Sequence, residues 1–174
     1  MGYTHYWSFT RNPKDIENGA AKFKNAVELL KSAIAKLPKT ITTETAFWSD
    51  LENGWLTKTE EVELKLRGGL GEGDPVFNDN KVWFNGDAET GNAYETCHIA
   101  LDYPEKEFMG KYDWEYSFCK TGRNAYDVAV CLTLLCFKRA FGEDFDFSSD
   151  GSIENGEEGW KLAKEIMATV YKIL

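Results

Sequence analysis

The sequence predicts an α/β domain of the α+β type, one compact unit over residues 1–174 with about three main helices packed on a mixed β-sheet. Two patterns predict this class. Short segments of alternating apolar and polar residues indicate strands, and longer segments with apolar residues three and four apart indicate helices. In addition, no linker divides the 174 residues, a length typical of one domain.

Residues 3–10 alternate with period two and predict the first strand. One face of this strand carries Tyr3, His5, Trp7 and Phe9. The other face carries the smaller and more polar residues, together with a second tyrosine.

Asn12 and Pro13 then have the residue types of a helix start, and the predicted helix runs to Leu37, just before Pro38. The remaining predicted elements are a weak strand at 40–43, a turn at 52–54, strands at 62–66, 81–86, 94–101, 114–119 and 145–147, and helices at about 124–140 and 154–173. The helix at 124–140 is apolar nearly all round, so we expect it to be the buried central helix. The glycine-rich segment 67–75 lacks a following helix, which favours a flexible turn over a phosphate-cradling loop.

The composition restricts the class of partner. The formal net charge of −9 disfavours binding to long nucleic acids, but one or two local cations can still hold a small anion. The cysteines form no CxxC pair, which favours reduced thiols in a cytoplasmic protein. The sequence contains no run of about 18 apolar residues, the length that would indicate a membrane-spanning helix. We expect no membrane partner and no cofactor.

The junction between the strand at 114–119 and the following helix contains Lys120, Thr121 and Arg123. Because a helix N-terminus carries unpaired N–H groups and partial positive charge, these residues predict an anion site. Ordinary capping explains the same residues equally well, with Thr121 or Asn124 as the N-cap and Asp127 as the acidic residue three positions after Asn124.

The row of Tyr3, His5 and Trp7 on the first strand is more polar than an ordinary core row. Such rings can stack on a base, which together with Lys120 and Arg123 suits a nucleotide-like ligand. A buried row whose polar ring atoms find partners in the core is an equally good interpretation.

The sequence contains two histidines, His5 and His98, both in predicted strands. A lone strand histidine is usually structural, but neighbouring strands would bring both imidazoles into one cleft. Two histidines without a third spaced ligand predict no metal site.

Asn85 and Asp150 end predicted strands, where ligands of open α/β sheets gather. Asp150 has the residue type that binds a ribose hydroxyl, whereas turn formation explains each of these residues singly.

Four motifs resemble a group of small proteins of bacteriophages and of bacteria that carry phage-derived genes. The motifs are Met-Gly-Tyr-Thr-His-Tyr-Trp at 1–7, Phe-Asn-Gly at 84–86, Phe-Cys-Lys-Thr-Gly-Arg-Asn-Ala-Tyr-Asp at 118–127 and Ser-Ser-Asp-Gly at 148–151. Relatives read Lys-Thr-Ala-Arg-Lys-Pro-Tyr-Asp in the third motif, so Asn124 and Ala125 replace a second cation and a proline. The resemblance implies a phage setting, in which small proteins sequester or cleave nucleotide signals of host defence.

Three functions follow as hypotheses. The first is a binding module for a phosphate-bearing ligand that acts as an anti-defence protein and sequesters a host immune signal. The second is a hydrolase or phosphodiesterase of such a ligand, with His5 or His98 as general acid or base. The third is an acidic inhibitor that binds a protein. A homodimer stays open, because pockets of sequestering proteins often lie at subunit interfaces.

Overall fold

The structure, a computed structural model, describes residues 3–49, 52–104, 107–108, 111–157 and 159–171. The helices are α1 (Gly19–Ile34), α2 (Asp127–Phe141) and α3 (Gly159–Tyr171). The strands are β1 (Thr4–Phe9), β2 (Thr40–Ser49), β3 (Gly54–Glu63), β4 (Val76–Asn78), β5 (Lys81–Phe84), β6 (Cys97–Ala100), β7 (Glu107–Phe108), β8 (Lys111–Tyr112), β9 (Ser117–Lys120) and β10 (Phe145–Ser149). The predicted α/β class with three main helices is confirmed.

The described strands form several small antiparallel sheets, where one mixed sheet was expected. β1 lies at the centre of a three-stranded sheet, between β10 and β9, and β4, β5 and β6 form a second one. The pairs β2–β3 and β7–β8 stand apart. The β2–β3 hairpin joins no other described sheet, and the side chains of 57–61 on β3 are exposed without alternation.

Helix α2 is the buried centre, as its apolar sequence predicts. It packs between α1 and α3, and Phe137 makes edge-on ring contacts with Phe9 of β1 and Phe23 of α1. Its buried residues are Asp127, Val128, Ala129, Val130, Cys131, Leu132, Thr133, Leu134, Cys136, Phe137 and Phe141. The apolar side chains of the β1 sheet pack in the same core as α2. This packing holds the start of α2 next to the ends of the strands.

Several predicted boundaries are wrong. The strand expected at 62–66 is instead the end of β3, which begins at Gly54 and ends at Glu63. The helix expected from Asn12 to Leu37 begins as a 3-10 turn at Pro13–Asp15 and restarts as α1, because Asn18 adopts a left-handed backbone with φ 56°. The helix expected from about residue 154 begins at Gly159, and its expected end at Ile173 lies outside the described residues, as do Met1 and Gly2. Strand β2 is longer than the predicted 40–43, because its threonines favour extended backbone although they do not alternate with apolar residues.

The glycine-rich segment 67–75 is a loop with one 3-10 turn at Gly69–Gly71, and a strand, β4, follows it. Among the described residues, no helix combines the length and the apolar character that a bilayer-spanning segment needs.

Candidate functional site

One edge of the three-stranded sheet brings together most of the residues that the sequence singled out. β1 starts there while β9 and β10 end there, since Thr4 pairs with Lys120 and His5 with Ser149. The first turns of α2 and α3 begin at the same edge, because the carboxylate of Asp127 binds the first helical N–H of α3. The antiparallel register thus assembles a polar cluster from segments that are far apart in the chain.

His5 and Asp127 form the centre of this cluster. His5 Nε2 lies 2.8 Å from Asp127 Oδ1, with side-chain exposures of 0% and 5%. The Thr121 hydroxyl donates to the same carboxylate oxygen, while Gly159 N–H donates to Oδ2 at 3.1 Å. The Cys131 thiol completes the set at 3.7 Å from Oδ2. The buried carboxylate is therefore satisfied on both oxygens, as burial of such a group requires.

This arrangement corrects the predicted capping of α2. The N-cap of α2 is Tyr126, without a side-chain hydrogen bond, and neither Thr121 nor Asn124 has that role. The Asp127 carboxylate instead accepts a hydrogen bond from the first N–H of α3, that of Gly159, and so caps that helix. A negative charge at a helix N-terminus is stabilised by the helix dipole, so this carboxylate also orients α3.

The hydrogen bonds favour one tautomer of His5. Its Nδ1 atom is buried and has no hydrogen-bond partner among the described residues. A proton on Nε2, donated to Asp127, leaves only a lone pair unpaired at Nδ1, which costs less than a buried unpaired N–H. The rings of Tyr3 and Trp160 stand edge-on to the imidazole, with centroids 5.2 and 5.4 Å away, and enclose it.

Ligand atoms of His5, Asp127 and Cys131 lie within 4.8 Å of one another, which is close enough for a metal ion. Two features oppose this use. Burial and the Asp127 carboxylate raise the pKa of the Cys131 thiol, whereas a thiolate is the form that binds metal. The second ring nitrogen of His5 also lacks the acceptor that orients a typical histidine ligand. The geometry fits a hydrogen-bond network better than a metal centre.

Arg123 occupies a backbone position that favours glycine. Gly122 and Arg123 have φ values of 60° and 65°, and Asn124 N–H donates to Thr121 O at 3.1 Å, as in a type I′ turn. A non-glycine residue with positive φ is uncommon and costs about 1–3 kcal/mol. The turn holds the Arg123 guanidinium 4.7 Å from the centroid of the Tyr3 ring.

Two open clefts meet at this turn. The first, here named the Arg123 cleft, has a volume of about 640 Å³, and its polar lining consists of Thr42, Thr43, Arg123, Asn124, Asp127 and Lys161. The second, the acidic groove, has about 450 Å³ and shares Thr43, Arg123 and Asn124 with the first. Its other lining includes Glu60, Glu61 and Glu63 of β3. The carboxylates of the groove repel an anion, so electrostatics favours the Arg123 cleft for a negatively charged ligand.

The predicted stacking row is buried. Tyr3, His5 and Trp7 are 1%, 0% and 3% exposed, which leaves no open ring face for a base. Exposed rings lie elsewhere: Tyr116 and Phe118 are each 41% exposed. The half-buried Tyr6, on the opposite face of β1, pairs with Phe118 of β9 and lies beside Tyr116. The burial agrees with the alternative interpretation, a core row. The sequence left both interpretations open because it does not reveal which face of β1 the helices cover.

The two histidines do not share a cleft. β1 is bordered by β9 and β10, whereas His98 lies on β6 in the other three-stranded sheet. His98 instead lines a cleft of about 210 Å³ with Trp7, Tyr103, Asp113, Tyr116 and Phe118, here named the aromatic cleft. Partial burial and the Lys81 ammonium lower the pKa of His98, and the Asp113 carboxylate opposes them.

The other predicted residues have local partners. Asn85 is fully buried and ties its loop together, with Nδ2 donating to Tyr94 O and Oδ1 accepting from Tyr94 N–H. The Lys120 ammonium lies 5.3 Å from the Tyr94 ring centroid. Asp150 accepts hydrogen bonds from Thr4 N–H and from the Tyr6 hydroxyl. These contacts agree with the turn and packing roles that were the alternative for Asn85 and Asp150.

Sequence reasoning missed Gly159, Lys161, Asp113, Tyr116 and Phe118 as parts of these clefts. Tyr116 and Phe118 carried a signal, because they are two residues apart in the strand predicted at 114–119 and so share one face of it. Comparison of the chain with protein-family models, curated proteins and solved structures finds no match.

Proposed function

We propose that the protein is a binding module for a small phosphate-bearing ligand of the nucleotide class, and that Arg123 binds the phosphate in the Arg123 cleft. The observation that carries the proposal is the backbone at Arg123. Folding alone would favour glycine at this position of the turn, and arginine occupies it with a φ of 65°. Strain of this kind is concentrated at binding sites, where it presents a side chain in a defined direction.

Electrostatics and size support the same ligand class. Arg123 and Lys161 line the cleft, and its one carboxylate, Asp127, is already bound by His5, Thr121 and Gly159. Val128 and Lys161, in the first turns of α2 and α3, also line it, so the starts of two helices border the cleft. The volume of about 640 Å³ lies within the usual range for small-molecule sites.

The positions of the two histidines favour binding of the ligand without turnover. His5 is enclosed and bonded to Asp127, so a substrate in the cleft has no access to its ring. His98 lines a different cleft, away from Arg123. Neither histidine is therefore in position to act as general acid or base on a ligand held by Arg123.

The resemblance to phage-encoded proteins supports a biological setting for this proposal. In that setting the ligand is a nucleotide or cyclic-nucleotide signal of host defence. The protein sequesters it in the host cytoplasm.

The test is calorimetry of the pure protein against nucleotides and cyclic dinucleotides, with wild type compared with Arg123→Gly. Glycine suits the turn, so the variant should retain its thermal stability while its affinity falls by about 1–3 kcal/mol, the scale of a hydrogen bond to a charged group. Asn53→Gly is the matched control, since Asn53 also has a positive φ, of 48°, in the β2–β3 turn.

Chromatography of the recovered ligand separates binding from catalysis. Intact ligand supports the binding module, and conversion to product would replace it with the hydrolase hypothesis. An Arg123→Gly variant that binds every tested nucleotide as tightly as wild type would contradict the assignment of Arg123.

A further inference from the structure

The three-stranded sheet of β1 has a second face, opposite to the one that the helices cover. On the covered face, Phe9 of β1 contacts the rings of Phe137 and Phe141 of α2. The other face carries side chains of all three strands and of the residues next to them, and this set is here named the outer surface. Its members are Tyr6 on β1, Tyr116 and Phe118 at β9, and Asp146, Ser148 and Asp150 at β10.

Three aromatic rings form a cluster on the outer surface. Tyr6 pairs directly with Phe118 across the β1–β9 ladder. The centroid of the Tyr116 ring lies 6.3 Å from that of Tyr6 and 6.1 Å from that of Phe118. Tyr116 and Phe118 are each 41% exposed, and Tyr6 is half-buried. Rings that lie this close together and reach solvent offer a surface on which a flat group can stack.

Two carboxylates flank this cluster on the β10 side. Tyr6 pairs with Ser148, so Asp146 and Asp150 are its diagonal neighbours, at the spacing of about 7–8 Å that such positions have. Asp150 is exposed and accepts a hydrogen bond from the Tyr6 hydroxyl. The Asp146 side chain is 85% exposed, with the Lys138 ammonium 3.9 Å from its Oδ1 atom. Both carboxylates are therefore accessible to a cation from outside the chain.

A guanidinium group suits this combination of rings and carboxylates. We propose that the outer surface binds an arginine-bearing segment of a partner protein, with a guanidinium stacked on a ring and paired with a carboxylate. The planar guanidinium makes both contacts well, because it stacks on aromatic faces and pairs with a carboxylate through two parallel N–H groups. The formal net charge of −9 also attracts a basic segment. The outer surface goes beyond the proposed function, since none of its residues lines the Arg123 cleft.

The charges disfavour other occupants of this surface. An apolar partner would bury Asp146 and Asp150 without a counter-charge, which is costly. Nucleic acids stack on such rings, but the same carboxylates repel their phosphates. A second copy of this chain would bring a surface of the same negative sign. Lys120 follows on the same side of β9, where its ammonium lies 5.3 Å from the centroid of the Tyr94 ring, which is not part of the outer surface.

The experiment titrates the isotope-labelled protein with the acetylated and amidated peptide Gly-Arg-Gly-Arg-Gly-Arg-Gly at low salt. The NMR signals of the Tyr6, Tyr116 and Phe118 rings should shift as this peptide binds. A peptide with citrulline in place of arginine keeps the planar end group without its charge, and it should bind about tenfold more weakly or worse. A lysine peptide should bind about two- to fivefold more weakly, since an ammonium group does not stack as a plane. Added NaCl should weaken binding of the arginine peptide.

Matched variants place the binding on the outer surface. Tyr116→Ala should weaken the arginine peptide about two- to fivefold, the scale of one exposed cation–π contact, whereas Tyr116→Phe keeps the ring and should keep the affinity. Asp146→Asn should weaken it by about two- to fivefold, the scale of an exposed ion pair. Asp79→Asn is the control and should leave the affinity unchanged, because Asp79 is also exposed and also lies 3.9 Å from a lysine, in the turn between β4 and β5.

Equal affinity for the arginine and citrulline peptides would overturn the proposal, because the cation would then have no role. Equal losses in Asp146→Asn and Asp79→Asn would also overturn it, since the attraction would then come from the charge of the whole chain. Sedimentation of the protein alone tests a second copy as the occupant, and a dimer that Tyr116→Ala dissociates would replace the partner protein. Arg123→Gly should leave peptide binding unchanged, so these outcomes do not bear on the phosphate site.

Discussion

His5 Nε2 lies 2.8 Å from Asp127 Oδ1, although 122 residues separate the two in the chain. The pair joins the first strand to the start of the central helix, and Asp127 also binds the first N–H of α3. One buried carboxylate thus connects the sheet, α2 and α3, at the edge where the Arg123 cleft opens.

Replacing Asp127 with Ala should lower the free energy of unfolding by about 3–5 kcal/mol, because it leaves His5, Thr121 and the α3 terminus without their acceptor. Urea denaturation measures the change. Asp127→Asn keeps the shape and should cost less. Asp146→Ala is the control, since that side chain is 85% exposed, and should have almost no effect. Equal stability of Asp127→Ala and wild type would contradict the linking role of the carboxylate.

Gly159→Ala should destabilise the fold by about 1–3 kcal/mol, because a methyl group there overpacks a closed contact. An added Cβ would lie 2.6 Å from Asp127 Oδ2 and 2.8 Å from the backbone of Val128. Thermal unfolding of Gly159→Ala can be compared with Gly54→Ala, where the nearest atom would be at 3.7 Å. If both variants melted alike, the close approach of α3 to α2 would be wrong.

Leu70→Asn should raise the free energy of unfolding by about 0.5–1 kcal/mol, since asparagine tolerates the left-handed backbone better than leucine. Leu70 has a φ of 61° and is 85% exposed, so its replacement gives up little burial. Leu56→Asn, on strand β3, is the control and should not stabilise. A loss of stability in Leu70→Asn would show that the leucine makes contacts that its exposure does not reveal.

The imidazole of His98 should titrate in the folded protein below its ordinary pKa of about 6.5. The unfolded chain then binds the proton more readily, so this residue reduces stability as the pH falls from about 6.5 through the folded pKa. NMR titration of the ring gives the midpoint. Lys81→Gln should raise the midpoint and Asp113→Asn should lower it, since the two charges act in opposite directions. Shifts of the same sign in both variants would refute this electrostatic account.

The fold class was predictable because local patterns report burial directly. The apolar sequence of α2 indicates a buried helix, and the alternation of residues 3–10 indicates a strand with two distinct faces. The start of α1 was not predictable, because the left-handed backbone of Asn18 interrupts a pattern that looks continuous. Thr40–Ser49 was only partly predicted, because its threonines do not alternate with apolar residues and give no signal of period two.

The candidate site was predictable only in part. The Lys120–Arg123 segment stands out by composition, and the structure adds the strained turn that holds Arg123 against Tyr3. The hypothesis that the two histidines share a cleft was wrong, because β1 and β6 lie in different sheets and strand order depends on long-range packing. His98 lines a cleft together with Trp7, and His5 of β1 lies beside Asp127 at the start of α2.

By itself, the sequence determined the class of the fold, the central helix and the grouping of side chains on β1. These features follow from periodicity, which every short segment carries within itself. Only the tertiary structure decided that the Tyr3–His5–Trp7 face is covered, that Asp127 caps α3, and that Arg123 borders a cleft. These relationships join segments that are not neighbours in the chain, such as Asp127 and Gly159, 32 residues apart, and they depend on packing that no local pattern encodes.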